Sequence, residues 1–122
     1  MKDSLKPPTE KSIMLGIISA LGYKGWRVFR MPPSLYASKG VPDLHCLKNG
    51  VGVWIEVKSA KGKLSDTQER FGQQVTDAGG LYIVARSVEF AVSCCEKIQL
   101  YIGWEQYLVP SKEWRWTVDG KS

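Results

Sequence analysis

The chain has 122 residues, 43% hydrophobic and 24% charged, a length that suits one compact domain, excludes two catalytic ones, and comes with the composition of a globular chain rather than a disordered one. Seventeen basic against twelve acidic residues give a formal net charge of +5, which suits a polyanionic partner without requiring one. No apolar run approaches the roughly 20 residues of a membrane-spanning helix.

In chain order, MKDSLKPPTEKS has lysines but no apolar signal-peptide core behind them, and residues 1–9 read as a short flexible lead-in. From Glu10 to about Leu21 the apolar residues Ile13, Met14, Ile17, Ile18 and Leu21 recur at helical spacing, with Gly22 and Gly25 as the stop. Glu10 lies three and four residues before Ile13 and Met14, on the helix's inward edge. WRVFR, 26–30, reads as a short strand, MPPSLYASKG as a loop, and VPDLHCL, 41–47, as a second strand. Lys48-Asn49-Gly50 closes a hairpin, since Asn and Gly tolerate the positive φ of tight turns. The third strand, 51–59, alternates: Val53, Ile55 and Val57 face one side, Trp54, Glu56 and Lys58 the other.

AKGKL forms a basic loop, and SDTQERFGQQVTDAG reads as a basic crossover helix ending at Gly79 or Gly80. LYIVA, 81–85, is a strand apolar enough to be covered on both faces. A last helix begins after Ser87 and buries Val88, Ala91, Val92, Cys95 and Ile98. The order helix, three strands, helix, strand, helix predicts an α/β fold, a small mixed sheet between helices, over residues 10–100. Cys46, Cys94 and Cys95 are an odd count with one adjacent pair, which argues against a disulfide framework and a zinc site and for a reduced, intracellular chain. Residues 101–122 contain Trp104, Tyr107, Trp114 and Trp116. These rings complete the core, cover a second subunit, or stack on single-stranded DNA, in that order of preference.

The chemistry concentrates in GVPDLHCLKNGVGVWIEVKS, residues 40–59. Residues two apart on a strand share a face about 6.6 Å apart, so Glu56 and Lys58 stand together, and the hairpin can bring Asp43 beside them. Two convergent carboxylates resist desolvation unless a cation neutralises them. Magnesium suits such a pair, being held by one or two carboxylates together with waters and substrate phosphate. Lys58 beside it can stabilise charge on a phosphoryl group or orient the attacking water. A half-exposed strand with a Glu56–Lys58 ion pair and a turn at Asp43 would give the same spacing without chemistry.

Pro42-Asp43 followed by Glu56-Val57-Lys58 resembles the PD-(D/E)XK nuclease signature, and the surrounding chain looks like its VRR-NUC branch, the virus-type replication-repair nucleases, in the stand-alone form carried by phages. The likeness runs from about Glu10 through Arg86 and includes Phe29-Arg30, GKLSDTQERF at 62–71 and GGLYIVARS at 79–87. It implies a restriction-endonuclease-like fold and hydrolysis of DNA dependent on Mg2+ or Mn2+, with no organic cofactor. Asp43, Glu56 and Glu10 match its metal-binding acids, Lys58 its active-site lysine and Gln68 its helix glutamine, while the carbonyl of Val57 often completes such a metal shell. Stand-alone members imply a homodimer similar to archaeal Holliday-junction resolvases, acting on branched DNA in the cytoplasm of a bacterial host. A restriction-like endonuclease, an exonuclease, and a non-catalytic DNA-binding protein on the same scaffold are the alternatives.

The flanking residues carry two readings each. Glu10 also suits a first helical turn as an anion. Ser65-Asp66-Thr67-Gln68 fits a capping box, although Gln68 also precedes Phe71 by three residues on the inward face. Arg30, Lys39, Lys61, Lys63 and Arg86 surround the Asp43–Lys58 segment and suit phosphate positioning or simple solvation. His45, two beyond Asp43, suits packing better than chemistry.

Overall fold

The computed structural model describes residues 6–32 and 40–101. Lys39 and the four C-terminal aromatic residues lie outside the described residues, and with them the expectations placed on that segment. Seven elements follow the expected order: α1 (Glu10–Tyr23), β1 (Arg27–Arg30), β2 (Leu44–Lys48), β3 (Val51–Val57), α2 (Asp66–Asp77), β4 (Leu81–Ala85) and α3 (Val88–Tyr101).

Thr9 caps α1 by accepting the Ser12 N–H at 3.1 Å, with Glu10 in the first turn where a negative charge is favoured. Ile13, Met14, Ile17 and Leu21 are buried along one stripe. The helix runs through Gly22 and ends at Lys24, the chain turning at Gly25, whose φ of +92° suits glycine.

The sheet order is β1-β2-β3-β4. β1 and β2, then β2 and β3, pair antiparallel, while β4 joins β3 in parallel through the α2 crossover. Asn49 (φ 51°) and Gly50 (φ 80°) make the two-residue hairpin, whose twist matches the strands it joins. α1 and α3 pack together over one face; α2 packs against β4 from the other. Val53, Ile55 and Val57 turn inward with Leu44, Cys46, Ile83 and Ala85, against Ile17, Leu21, Ala91, Cys95 and Ile98. Each fully buried Ile or Leu contributes about 1.5–3 kcal/mol. The three cysteines are free and buried. No helix among the described residues is long and apolar enough to cross a membrane.

Two expectations need correction. β2 starts at Leu44 rather than residue 41, because Pro42 has no N–H to give a ladder and the Asp43 side chain, rather than its backbone, meets β3. The crossover helix is also not basic: α2 holds Asp66, Glu69 and Asp77 against Arg70 alone, and the positive charge of the crossover sits in the loop at Lys61 and Lys63.

Candidate active site

The site forms where β2 begins and β3 ends. Register pairs Leu44 with Ile55 and His45 with Trp54, so the next step brings Asp43 level with Glu56. Asp43 stands in for a missing strand rung: its Oδ2 accepts the Val57 N–H at 2.9 Å while its backbone carbonyl accepts the Met31 N–H at 2.8 Å. Gly40, at φ +86°, lies against the first turn of α2, where a Cβ would collide with the Thr67 carbonyl. That close approach fixes the Pro42-Asp43 segment beside Gln68.

Glu56 is only 3% exposed and is the buried charged residue of the described core. Its Oε2 accepts the Gln68 Nε2–H at 3.2 Å and lies 3.9 Å from Lys58 Nζ. Its Oε1 is buried without a hydrogen-bond partner. Burial pushes the Glu56 carboxyl up to about 8; the Asp43 charge adds to the rise, Lys58 opposes it, and Glu10 adds more weakly. Lys58 lies one residue beyond β3, its N–H donated to Ala85 at 3.0 Å, and its side chain is largely buried beside Glu56.

Gln68 closes the capping box and also reaches the buried Glu56. Its backbone N–H donates to Ser65 Oγ at 3.2 Å and its Oε1 accepts the Ser65 N–H at 2.9 Å, closing the capping box, while the amide nitrogen remains for Glu56. Glu10 is exposed yet close: a Cβ at Gly62 would stand 3.2 Å from its Oε2 and 3.4 Å from Lys58 Cδ. Glu10, Lys11, Met14, Arg30, Met31, Asp43 and Val57 line a cleft of about 290 Å³.

Of the basic residues, Arg30 faces this cleft, and Lys61 and Lys63 are exposed on the following loop. Arg86 holds that loop instead of projecting from it: its Nη1 donates to the carbonyls of Ser59 at 2.7 Å and Gly62 at 2.6 Å. His45 stacks at a tilt on Trp54, ring centroids 4.5 Å apart.

Sequence reasoning passed over two residues. Lys11 lines the cleft beside Glu10, and its adjacency to a candidate ligand was the available signal. Tyr82 is buried with an unpartnered hydroxyl, held above its usual range by burial and by the Glu56 and Asp43 charges. Nothing in the apolar run LYIVA distinguishes it.

Among the described residues, no three His, Cys, Asp or Glu side chains are grouped as they stand to hold a metal. The donors nevertheless fit a hard divalent cation, which takes oxygen ligands and needs only one or two carboxylates beside water and phosphate. Glu56 has a free buried oxygen whose charge is unfavourable without a cation, and Asp43, Glu10 and Val57 line the adjoining cleft.

Residues 36–89 match the family model of the VRR-NUC domain. That segment, 54 of the 122 residues, is similar to a VRR-NUC domain. A solved structure described as a VRR_NUC domain shares the fold at a TM-score of 0.62 and 22% identity, over 73% of this chain and 97% of that one. No curated protein matches the chain. The VRR-NUC match contains Asp43, Glu56, Val57, Lys58, Gln68 and Arg86. Glu10, Lys11 and Arg30 precede the matched segment and join the site through the fold alone.

Proposed function

We propose that the protein is a divalent-metal-dependent endonuclease that hydrolyses DNA phosphodiester bonds. The observation that carries this reading is Glu56: a buried carboxylate with one unpartnered oxygen, beside Asp43 and within 3.9 Å of Lys58. Such an arrangement is unfavourable in an inert core and useful around a cation and a phosphate.

Asp43 and Glu56, with Glu10 and the Val57 carbonyl, would hold Mg2+ or Mn2+. Bound there, the ion supplies charge neutralisation of the phosphate and acidification of water. Gln68 holds Glu56 in place through its amide nitrogen. Lys58 orients the attacking water and stabilises the charge that builds on the nonbridging oxygens. The water oxygen bonds to phosphorus as the bond to O3′ breaks; one water proton is lost to solvent and the leaving oxygen takes one up, leaving a 5′-phosphate and a 3′-hydroxyl. No side chain is covalently modified. Arg30, Lys11, Lys61 and Lys63 position the strand, and Arg86 contributes through the loop that it holds.

Branched DNA is the substrate that a homodimer would serve best, since two-fold symmetry presents two sites to two strands. The test is incubation with linear, single-stranded, flap and four-way-junction DNA in magnesium, manganese or EDTA, with light scattering for mass. Metal-dependent cutting, strongest on branched DNA, by a species of twice the chain mass is expected. Binding without cutting under every condition would leave a DNA-binding scaffold in place of an enzyme.

A further inference from the structure

Among the described residues two side-chain polar atoms are buried without a hydrogen-bond partner, Glu56 Oε1 and the Tyr82 hydroxyl. One is an acceptor and the other a donor. Register sets Tyr82 opposite Trp54 and Val84 opposite Glu56, so Tyr82 and Glu56 share the face of the sheet that α2 covers and are diagonal neighbours across β3 and β4. Such neighbours lie about 7–8 Å apart, within reach of aromatic and long side chains.

The helix above them is shaped to admit the ring. Gly72 is buried inside α2, and a Cβ on it would stand 2.5 Å from Tyr82 Cε1 and 2.8 Å from Cζ, the carbon that bears the hydroxyl. Glycine is a poor helix former, yet here it leaves the space that the phenol occupies. One turn earlier stands Gln68, whose amide nitrogen donates to Glu56 Oε2 at 3.2 Å, so a single stripe of α2 covers first the carboxylate and then the ring. Phenylalanine would fill the same space without a polar atom to bury, and a buried hydroxyl left unbonded is costly. Beyond burial itself, the Glu56 charge is the strongest influence keeping the phenol protonated, ahead of Asp43 and Glu69. Asp43 already accepts the Val57 N–H.

We propose that Tyr82 is a positioning residue for the buried carboxylate, its hydroxyl donating to Glu56 Oε1 directly or through one water. Glu56 is then held from β4 as Gln68 holds it from α2. The purpose of this contact rests on the nuclease reading; its existence rests on the packing. The tied oxygen keeps a second lone pair for a cation, and loss of an outer partner of this kind usually weakens metal binding 10- to 100-fold.

The experiment is a double-mutant cycle by urea denaturation in EDTA, on wild type, Tyr82→Phe, Glu56→Leu and the double variant. Tyr82→Phe should raise the unfolding constant about fivefold in the wild-type background, the effect of one lost hydrogen bond. In Glu56→Leu, where the hydroxyl has no acceptor, it should leave the constant unchanged or lower it. With Asp43→Asn in place of Glu56→Leu, the fivefold loss should persist. No loss in the wild-type background, equal loss with Glu56→Leu, or a loss abolished by Asp43→Asn would overturn the proposal. Titration calorimetry should then show Mn2+ bound about tenfold more weakly by Tyr82→Phe than by wild type, and equal affinities would remove the positioning role. If the wild-type protein binds no Mn2+, the nuclease reading fails, while the denaturation cycle still decides the contact.

Discussion

Gln68 donates its amide nitrogen to Glu56 at 3.2 Å while its amide oxygen accepts the N–H of Ser65 at 2.9 Å. One side chain thus ties the start of α2 to the buried carboxylate, so the position of Glu56 depends on how the crossover helix begins. Capping and alignment can be separated by substitution.

Gln68→Ala removes both bonds and should cost about 1 kcal/mol, the usual worth of a cap, together with cleavage. Gln68→Glu keeps an oxygen for Ser65 but sets a third carboxylate against Glu56. Urea denaturation near neutral pH should therefore show the Glu variant closer to wild type than the Ala variant, while single-turnover assays show both impaired. Wild-type cleavage by Gln68→Ala would confine Gln68 to the cap.

Lys58→Ala should lower cleavage on the order of 10²-fold or more, the scale set by removal of other fixed electrostatic groups, with DNA affinity nearly unchanged. Lys63→Ala should do the reverse, weakening binding modestly with a smaller salt dependence and sparing the rate of bound substrate. Paired binding titrations and single-turnover rates check both. Cutting at the wild-type rate by Lys58→Ala would make the Glu56-Val57-Lys58 strand inert.

The metal-free protein should lose stability as pH rises. Glu56 titrates at about 8 when folded, against 4.5 for an ordinary glutamate. Between those values the folded chain holds a proton that the unfolded chain has released. This contribution is complete below about 4.5 and is lost as pH rises to about 8. Urea midpoints in EDTA at several pH values should fall across that window, and Glu56→Gln should flatten the fall. Added Mg2+ or Mn2+ should raise the melting temperature most at the alkaline end, where its ligand is already ionised.

Gly40→Ala should cost about 3 kcal/mol, combining the strain of positive φ with a collision against the Thr67 carbonyl. Gly50→Ala, at φ +80° but with open space around it, should cost only the conformational part, about 1–2 kcal/mol. Chemical denaturation distinguishes them, and equal losses would show that Gly40 does not position the Asp43 segment through α2.

Period and punctuation made most of the fold readable. Val53, Ile55 and Val57 alternate with Trp54 and Glu56, Asn49-Gly50 announces the hairpin, and Ile13, Ile17 and Leu21 repeat at helical spacing. The start of β2 was not readable because Asp43 bonds to the strand with its side chain, which no propensity records. Gln68 forced a choice in the sequence that the molecule does not make, since an amide donates and accepts at once. Arg86 looked like a phosphate ligand because the carbonyls that it holds, Ser59 and Gly62, are distant in the chain and reach it only when β4 aligns with β3. Lys39 and the C-terminal tryptophans stay with the expectations placed on them.

The hold of Arg86 on Ser59 and Gly62 bears on the thermodynamics of association. A basic loop left free must lose backbone freedom when it meets a phosphate, at about 1–2 kcal/mol for each residue fixed. Here two carbonyls are already fastened to the end of β4, so much of that ordering is done during folding. Lys61 and Lys63 leave a preorganised backbone, and under the proposed function the entropic cost of capturing a strand would fall mainly on their side chains.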